Sequence, residues 1–274
     1  MSAASALVAG FAAQAPGAIL LQENFDSYTA GSTLTTNGWA AIGGSGNLIS
    51  NAQSVSTPNS ANADTVNSRS RKSFTESGVP TALNPITFSF DFYDSNAGLS
   101  PYRQYANLQD TTAPSATNQL VSMGLNNNQT SAANGGNYYM ARILGYTASD
   151  SGATSGSYFK LNGTDGAGNS LGTNPPLRST GWHNLKVVIS SDDGLSTDYA
   201  FYVDGILAKL APNVGTAASM RSYDNVTLGS GLSSTAEVFF DNVSVDNNAI
   251  PEPTSVALLG IGAMGLLARR RRMA

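Results

Sequence analysis

Cysteine is absent from the 274 residues, which excludes disulfides, thiolate metal sites and thiol nucleophiles. Charge is scarce as well, with only 12% of residues charged, against about 25% in an ordinary soluble domain. No Lys or Arg precedes Arg69, and four of the 14 basic residues stand together at positions 269–272. Before Pro251 the chain holds ten basic against seventeen acidic residues, a formal −7. Phosphate binding needs a clustered positive field, so this balance argues against a nucleic-acid surface. Histidine occurs once, at His183, where it is expected to pack or cap beside Trp182. In the middle of the chain no stretch of a dozen residues keeps a 3.6-residue period, so long amphipathic helices are not expected.

What is present is a run of short alternating segments separated by Gly, Asn, Ser and Pro. Over 86–92, Ile86, Phe88, Phe90 and Phe92 share one face and Thr87, Ser89 and Asp91 the other. The segment 199–210 predicts strand, turn and strand, because Asp204-Gly205 supplies the positive φ of a tight hairpin. Residues 182–189 predict a further strand. The expected fold class is all-β, an antiparallel β-sandwich or jelly roll over residues 19–250. Residues 51–67 and 110–136 carry few apolar side chains and are expected to be surface loops.

The two ends differ from this body. Residues 1–18 contain a short apolar run followed by small residues, the pattern of a secretory signal peptide. Residues 251–274 begin Pro251-Glu252-Pro253, continue in an apolar stretch over 254–268 and close on Arg269, Arg270, Arg271 and Arg272. As a helix that stretch spans about 22 Å, a short anchor beside a hydrocarbon core of about 30 Å. It is expected to be a single transmembrane helix with its arginines held on the cytoplasmic side. Pro251 and Pro253 keep the junction extended and stop the helix from running back into the body.

Pro-Glu-Pro, an apolar helix and a terminal arginine cluster, in that order, resemble the PEP-CTERM sorting signal of exported Gram-negative proteins. The resemblance implies recognition by an exosortase-type processing enzyme and a precursor held transiently in the inner membrane. It further implies release to the cell surface or to an extracellular polysaccharide matrix. Within the body, three groups resemble the concanavalin A-like and laminin-G-like jelly rolls. They are Glu23 to Tyr28 with Gly38-Trp39, Gly181-Trp182-His183-Asn184-Leu185 with Phe201 to Gly205, and Val238 to Val245.

Candidate chemistry is sparse. No strand carries the alternating carboxylates with which a jelly-roll glucanase flanks a glycosidic bond. The nearest pairs are Asp91 with Asp94 and Glu237 with Asp241, and no Gly-x-Ser-x-Gly elbow is present. The body is therefore expected to be structural or adhesive and not an enzyme. The alternatives are a carbohydrate-binding module and, less favoured, a glycoside hydrolase. For glycan binding the candidates are Tyr138, Arg142 and Tyr146 on one strand face, joined by Tyr102, Arg103 and Tyr105. The jelly-roll resemblance also implies a structural calcium between the first and last strands, with Glu23, Asp26 and Asp241 as ligands.

Overall fold

The computed structural model describes residues 18–63, 68–95, 103–111, 119–126, 137–143, 158–215, 220–230 and 237–247. Both terminal expectations, the signal peptide over residues 1–18 except Ala18 and the transmembrane helix within residues 251–274, therefore lie outside the described residues. No helix among the described residues is long and apolar enough to cross a membrane.

Two sheets form the fold. The first runs β11 (Thr164–Asp165), β14 (Ile206–Val214), β13 (Thr197–Val203), β12 (Gly181–Ser190) and β6 (Ile86–Asp94). It continues through β16 (Val238–Asp246), β4 (Ser60–Ala63) and β3 (Leu48–Ser50), with β1 (Ile19–Glu23) also pairing β16. The second runs β10 (Phe159–Lys160), β9 (Met140–Ile143), β8 (Gln119–Leu125) and β7 (Gln104–Asp110). It ends in β15 (Asn225–Ser230), β5 (Ser68–Ser73) and β2 (Ala40–Gly43). Pairing is antiparallel except where β11 meets β14.

The core lies between the sheets and follows from period-2 alternation. Ile86, Phe88, Phe90 and Phe92 are buried at 0–1% exposure, and β6 is central, with β12 on one side and β16 on the other. Phe240 of β16 packs against Phe90 and Phe92 at ring-centroid distances of 5.9 and 5.4 Å. Leu108, Val121, Met123, Val226 and Leu228 supply the facing layer from the second sheet. Each such side chain contributes about 1.5–3 kcal/mol on burial. The hairpin from β13 to β14 turns at Asp204 and Gly205, whose φ angles are 50° and 77°, as the Asp-Gly pair requires.

Two expected loops prove to hold strands. The first contains β4, whose Ser60, Ala61, Asn62 and Ala63 are all buried; small side chains fit this crowded position and hide its strand character. The second contains β8, where Val121, Met123 and Leu125 alternate with Ser122, Asn126 follows, and Gly124 interrupts the apolar signal.

Asp94, the last residue of β6, lies inside the fold with Arg178. Nε of Arg178 donates to Oδ2 at 2.8 Å and Nη2 to Oδ1 at 3.2 Å. Both side chains are only 1% exposed, so neither charge is solvated and each depends on the other. Arg178→Ala is expected to cost about 3–5 kcal/mol, and the paired change Asp94→Asn with Arg178→Met much less. Equilibrium denaturant unfolding of the native chain and the two variants measures the difference.

Candidate functional site

The second sheet has two unlike faces. Ala106, Leu108, Val121, Met123, Ala141, Ile143, Val226 and Leu228 turn inward to the core, so their neighbours in sequence turn outward. Register aligns the outward residues in rows. One row is Arg71 of β5, Thr227 of β15, Asn107 of β7, Ser122 of β8 and Arg142 of β9. The next holds Arg69 beside Gly229, then Tyr105, Gly124, Met140 and Lys160. No Asp or Glu occupies an outward position on these strands; Asp110 falls on the parity of Leu108.

Three arginines and a lysine thus share one face of an otherwise acidic body. Among the described residues Arg69, Arg71 and Arg142 make no ion pair. Their Nε atoms are buried and have no hydrogen-bond partner, as is true of Asn107 Oδ1 in the floor between them, while the Ser122 hydroxyl lies close enough to the Tyr158 phenol to act on it. Native proteins leave few buried polar atoms unpaired, and here several lie within or beneath half-buried guanidinium groups. Arg69 Nη2 reaches the Ile42 carbonyl at 3.4 Å, and Thr227 donates to Gln109 at 2.8 Å.

Aromatic rings line the same face. The Arg142 guanidinium stands 5.1 Å over the Tyr158 ring, and the rings of Tyr158 and Tyr105 are 6.2 Å apart. Space beside Tyr105 is kept by Gly124, where a Cβ would stand 2.2 Å from the Gln104 carbonyl oxygen. Burial pushes the Tyr158 phenol up to about 12, with Tyr105 adding to the shift and Arg142 and Ser122 opposing it. Tyr158 is therefore a neutral proton donor at physiological pH. Because the Arg142 charge lowers this value, Arg142→Gln is expected to raise it further, which ¹³C NMR titration of the tyrosine ring carbons measures.

Of the residues expected to bind glycan, Tyr105 and Arg142 meet on this face. Tyr138, four residues before Arg142, and Arg103 are both half-buried. Tyr102 and Tyr146 lie outside the described residues. Arg69, Arg71, Lys160 and Tyr158 join this face without having been expected there, although Ser68-Arg69-Ser70-Arg71 is itself a period-2 signal placing two arginines on one face.

The acids proposed for calcium occupy the edge where β1 and β16 pair. Glu23 accepts the Phe25 N–H at 3.1 Å and also the Tyr28 hydroxyl. Asp26 accepts from Asn24 and from the Asn59 N–H. Asp241, wholly buried, accepts the N–H groups of Val55 and Ser56 at 2.8 and 3.0 Å, the Ser56 hydroxyl and the Asn242 N–H. Burial raises its pKa, and those hydrogen bonds oppose the shift. Donors aimed at these oxygens do not fit a cation cage, and among the described residues no three acidic or histidine side chains form a metal group.

His183 is also placed differently from expectation. It shares the inward parity of Leu185, packs its ring 5.1 Å from that of Tyr139, and bonds Ser179 and Asp204. Trp182 lies on the opposite face, against Tyr93 at 5.4 Å.

Residues 249–272 match the PEP-CTERM protein-sorting motif. No curated protein matches the chain by sequence. Among solved structures, a mutant of alginate lyase Aly36B bound to alginate trisaccharide is 14% identical, with a TM-score of 0.50 over 85% of this chain and 98% of that one. The carbohydrate esterase vb_24B_21 of Shiga toxin-encoding bacteriophage phi24B is 14% identical, with a TM-score of 0.52 over 85% of this chain and 100% of that one. The endo-1,3-beta-glucanase of Streptomyces sioyaensis is 13% identical, with a TM-score of 0.48 over 88% of this chain and 100% of that one. At such identities the likeness is one of fold. It nevertheless overturns the expectation that the body is not an enzyme, because the fold is shared with a lyase and an esterase. The missing carboxylate pair and serine elbow exclude only the mechanisms that need them. The chain is a two-sheet β-sandwich that shares its fold with these proteins, and its residues 249–272 carry a PEP-CTERM sorting motif.

Proposed function

We propose that this exported protein engages an acidic polysaccharide, of the polyuronate type, along the outer face of its second sheet. The observation that carries the reading is the line of cations, Arg69, Arg71 and Arg142, that make no ion pair among the described residues, on strands with no outward carboxylate, in a protein of net charge −4. Guanidinium groups bind carboxylates through paired N–H donors, and the Tyr105 and Tyr158 rings offer flat apolar surface to sugar rings. The named ligand of the alginate lyase that shares this fold is of the same chemical class.

The sorting tail gives this face its address. Pro251, Glu252 and Pro253 are what an exosortase-type enzyme recognises, the apolar stretch holds the precursor in the inner membrane, and Arg269 to Arg272 fix its orientation. The mature body then works at the surface of a Gram-negative cell or in its extracellular matrix. Replacing all four arginines by glutamine is expected to leave unprocessed, missorted chain, and surface fractionation with an antibody to the body checks this. Normal display of the variant would contradict the sorting role.

Arg71→Ala and Arg142→Ala are each expected to weaken polyuronate binding about ten-fold or more, since a charge-assisted hydrogen bond contributes about 1.5–3 kcal/mol. Isothermal titration with the folded variants measures this, and unchanged affinity in both would remove the reading. A second reading, cleavage of the bound chain by elimination, is favoured by Tyr158, a protonated phenol beside Arg142. There the arginine offsets charge on the uronate, hydroxide from solvent takes the C5 proton to form water, and as the C4–O bond breaks and the C4–C5 double bond forms the phenol protonates the leaving glycosidic oxygen. Unsaturated uronate ends that appear with the native chain and not with Tyr158→Phe, while binding persists, would establish it.

A further inference from the structure

At one end of the sandwich, away from the arginine face, three side chains stand in sequence. Asp204 opens the turn between β13 and β14, and its Oδ1 accepts the Asn184 N–H at 2.8 Å. Its Oδ2 lies 2.8 Å from His183 Nδ1, which makes that nitrogen the proton-bearing one. His183 Nε2 is left with its lone pair facing Ser179 Oγ, 2.8 Å away.

The relay is held rigidly from behind. His183 is 8% exposed and packs on the ring of Tyr139. Arg178, the residue before Ser179, is anchored to buried Asp94 and donates its backbone N–H to the Asn137 carbonyl at 2.8 Å. Ser179 itself is exposed, so its hydroxyl is open to a substrate while its partners are fixed.

We propose that Ser179 is a nucleophile, that His183 is its general base and that Asp204 orients the imidazole, forming a second site that hydrolyses esters. Such a constellation is recognised by its geometry and not by its order in the chain. Ser179 Oγ bonds to the ester carbonyl carbon as its proton passes to His183 Nε2, and the carbonyl π electrons move onto oxygen. Collapse of that intermediate breaks the carbon–alkoxy bond, and the Nε2 proton goes to the departing alcohol. Water, deprotonated by the same nitrogen, then releases the acid and restores Ser179. The carbonyl oxygen of Ser179, 3.1 Å from Nε2, accepts a hydrogen bond whenever that nitrogen is protonated.

The surroundings point to a class of substrate. Thr180, Asp204 and Gly205 are exposed like Ser179, with Leu177 and Ile206 the exposed apolar neighbours in sequence, so the approach is open. An open approach suits a small acyl group carried on a larger molecule. The assignment is independent of the arginine face, which it neither uses nor requires.

The test is a fluorophosphonate probe added to the folded full-length chain, with the modified peptide located by mass spectrometry and 4-nitrophenyl acetate hydrolysis followed in parallel. Labelling at Ser179 ahead of the other serines is expected, with both signals lost in Ser179→Ala at an unchanged melting profile. Asp204→Asn is expected to slow both about a hundredfold or more while retaining the acceptor for Asn184. Absence of an adduct on Ser179 in folded protein, or hydrolysis unaltered by Ser179→Ala, would overturn the proposal and leave a structural hydrogen-bond chain.

Discussion

The pleat of the second sheet is the constraint from which the rest follows. Successive residues must face opposite sides, so Leu108 and Val226 cannot close the core without Asn107 and Thr227 being sent outward. The same rule turns Ser70 in and Arg69 and Arg71 out. Hydrophobic burial therefore fixes the positions of the cations, because a one-residue slip would carry arginines into the core and leucines to the outer face. The chemistry of the face is rigid for the same reason that the fold is stable.

That coupling bears on function. An arginine row assembled from β5 and β9, at opposite sides of the sheet, spans five strands and matches an extended chain better than a compact solute. The outward face combines cations, aromatic rings and a buried unpaired acceptor, and its neutral Tyr158 phenol sits where burial outweighs the nearby guanidinium. The serine, histidine and aspartate of the other sheet depend on a different device, the Asp204-Gly205 turn, which sets a carboxylate opposite a strand end.

Legibility in the sequence followed the strength of the alternating signal. Strands β6, β12, β13 and β14 were readable because bulky apolar residues alternate without interruption and Asp-Gly marks their hairpin. Strands β4 and β8 were not, since Ser, Ala, Asn and Gly replace the large side chains that carry the pattern. In the candidate site Tyr105 and Arg142 were accessible from local spacing. Their neighbours Arg69 and Arg71 were not, because β5 joins that face through β15, about 157 residues later in the chain. The contacts of His183 were hidden for a similar reason: Asp204 reaches it from the end of the neighbouring strand β13, 21 residues on, and no short motif records such a meeting.

Sorting to the envelope and a cationic sheet face together make an account in which charge, and not sugar shape alone, selects the ligand. The most direct measurement compares binding of the mature body to a polyuronate and to the same polymer with its carboxyl groups reduced to alcohols, at low and at high salt. The account predicts binding to the polyuronate that weakens with salt and little binding to the reduced polymer. Equal affinity for both polymers, or affinity indifferent to salt, would contradict it.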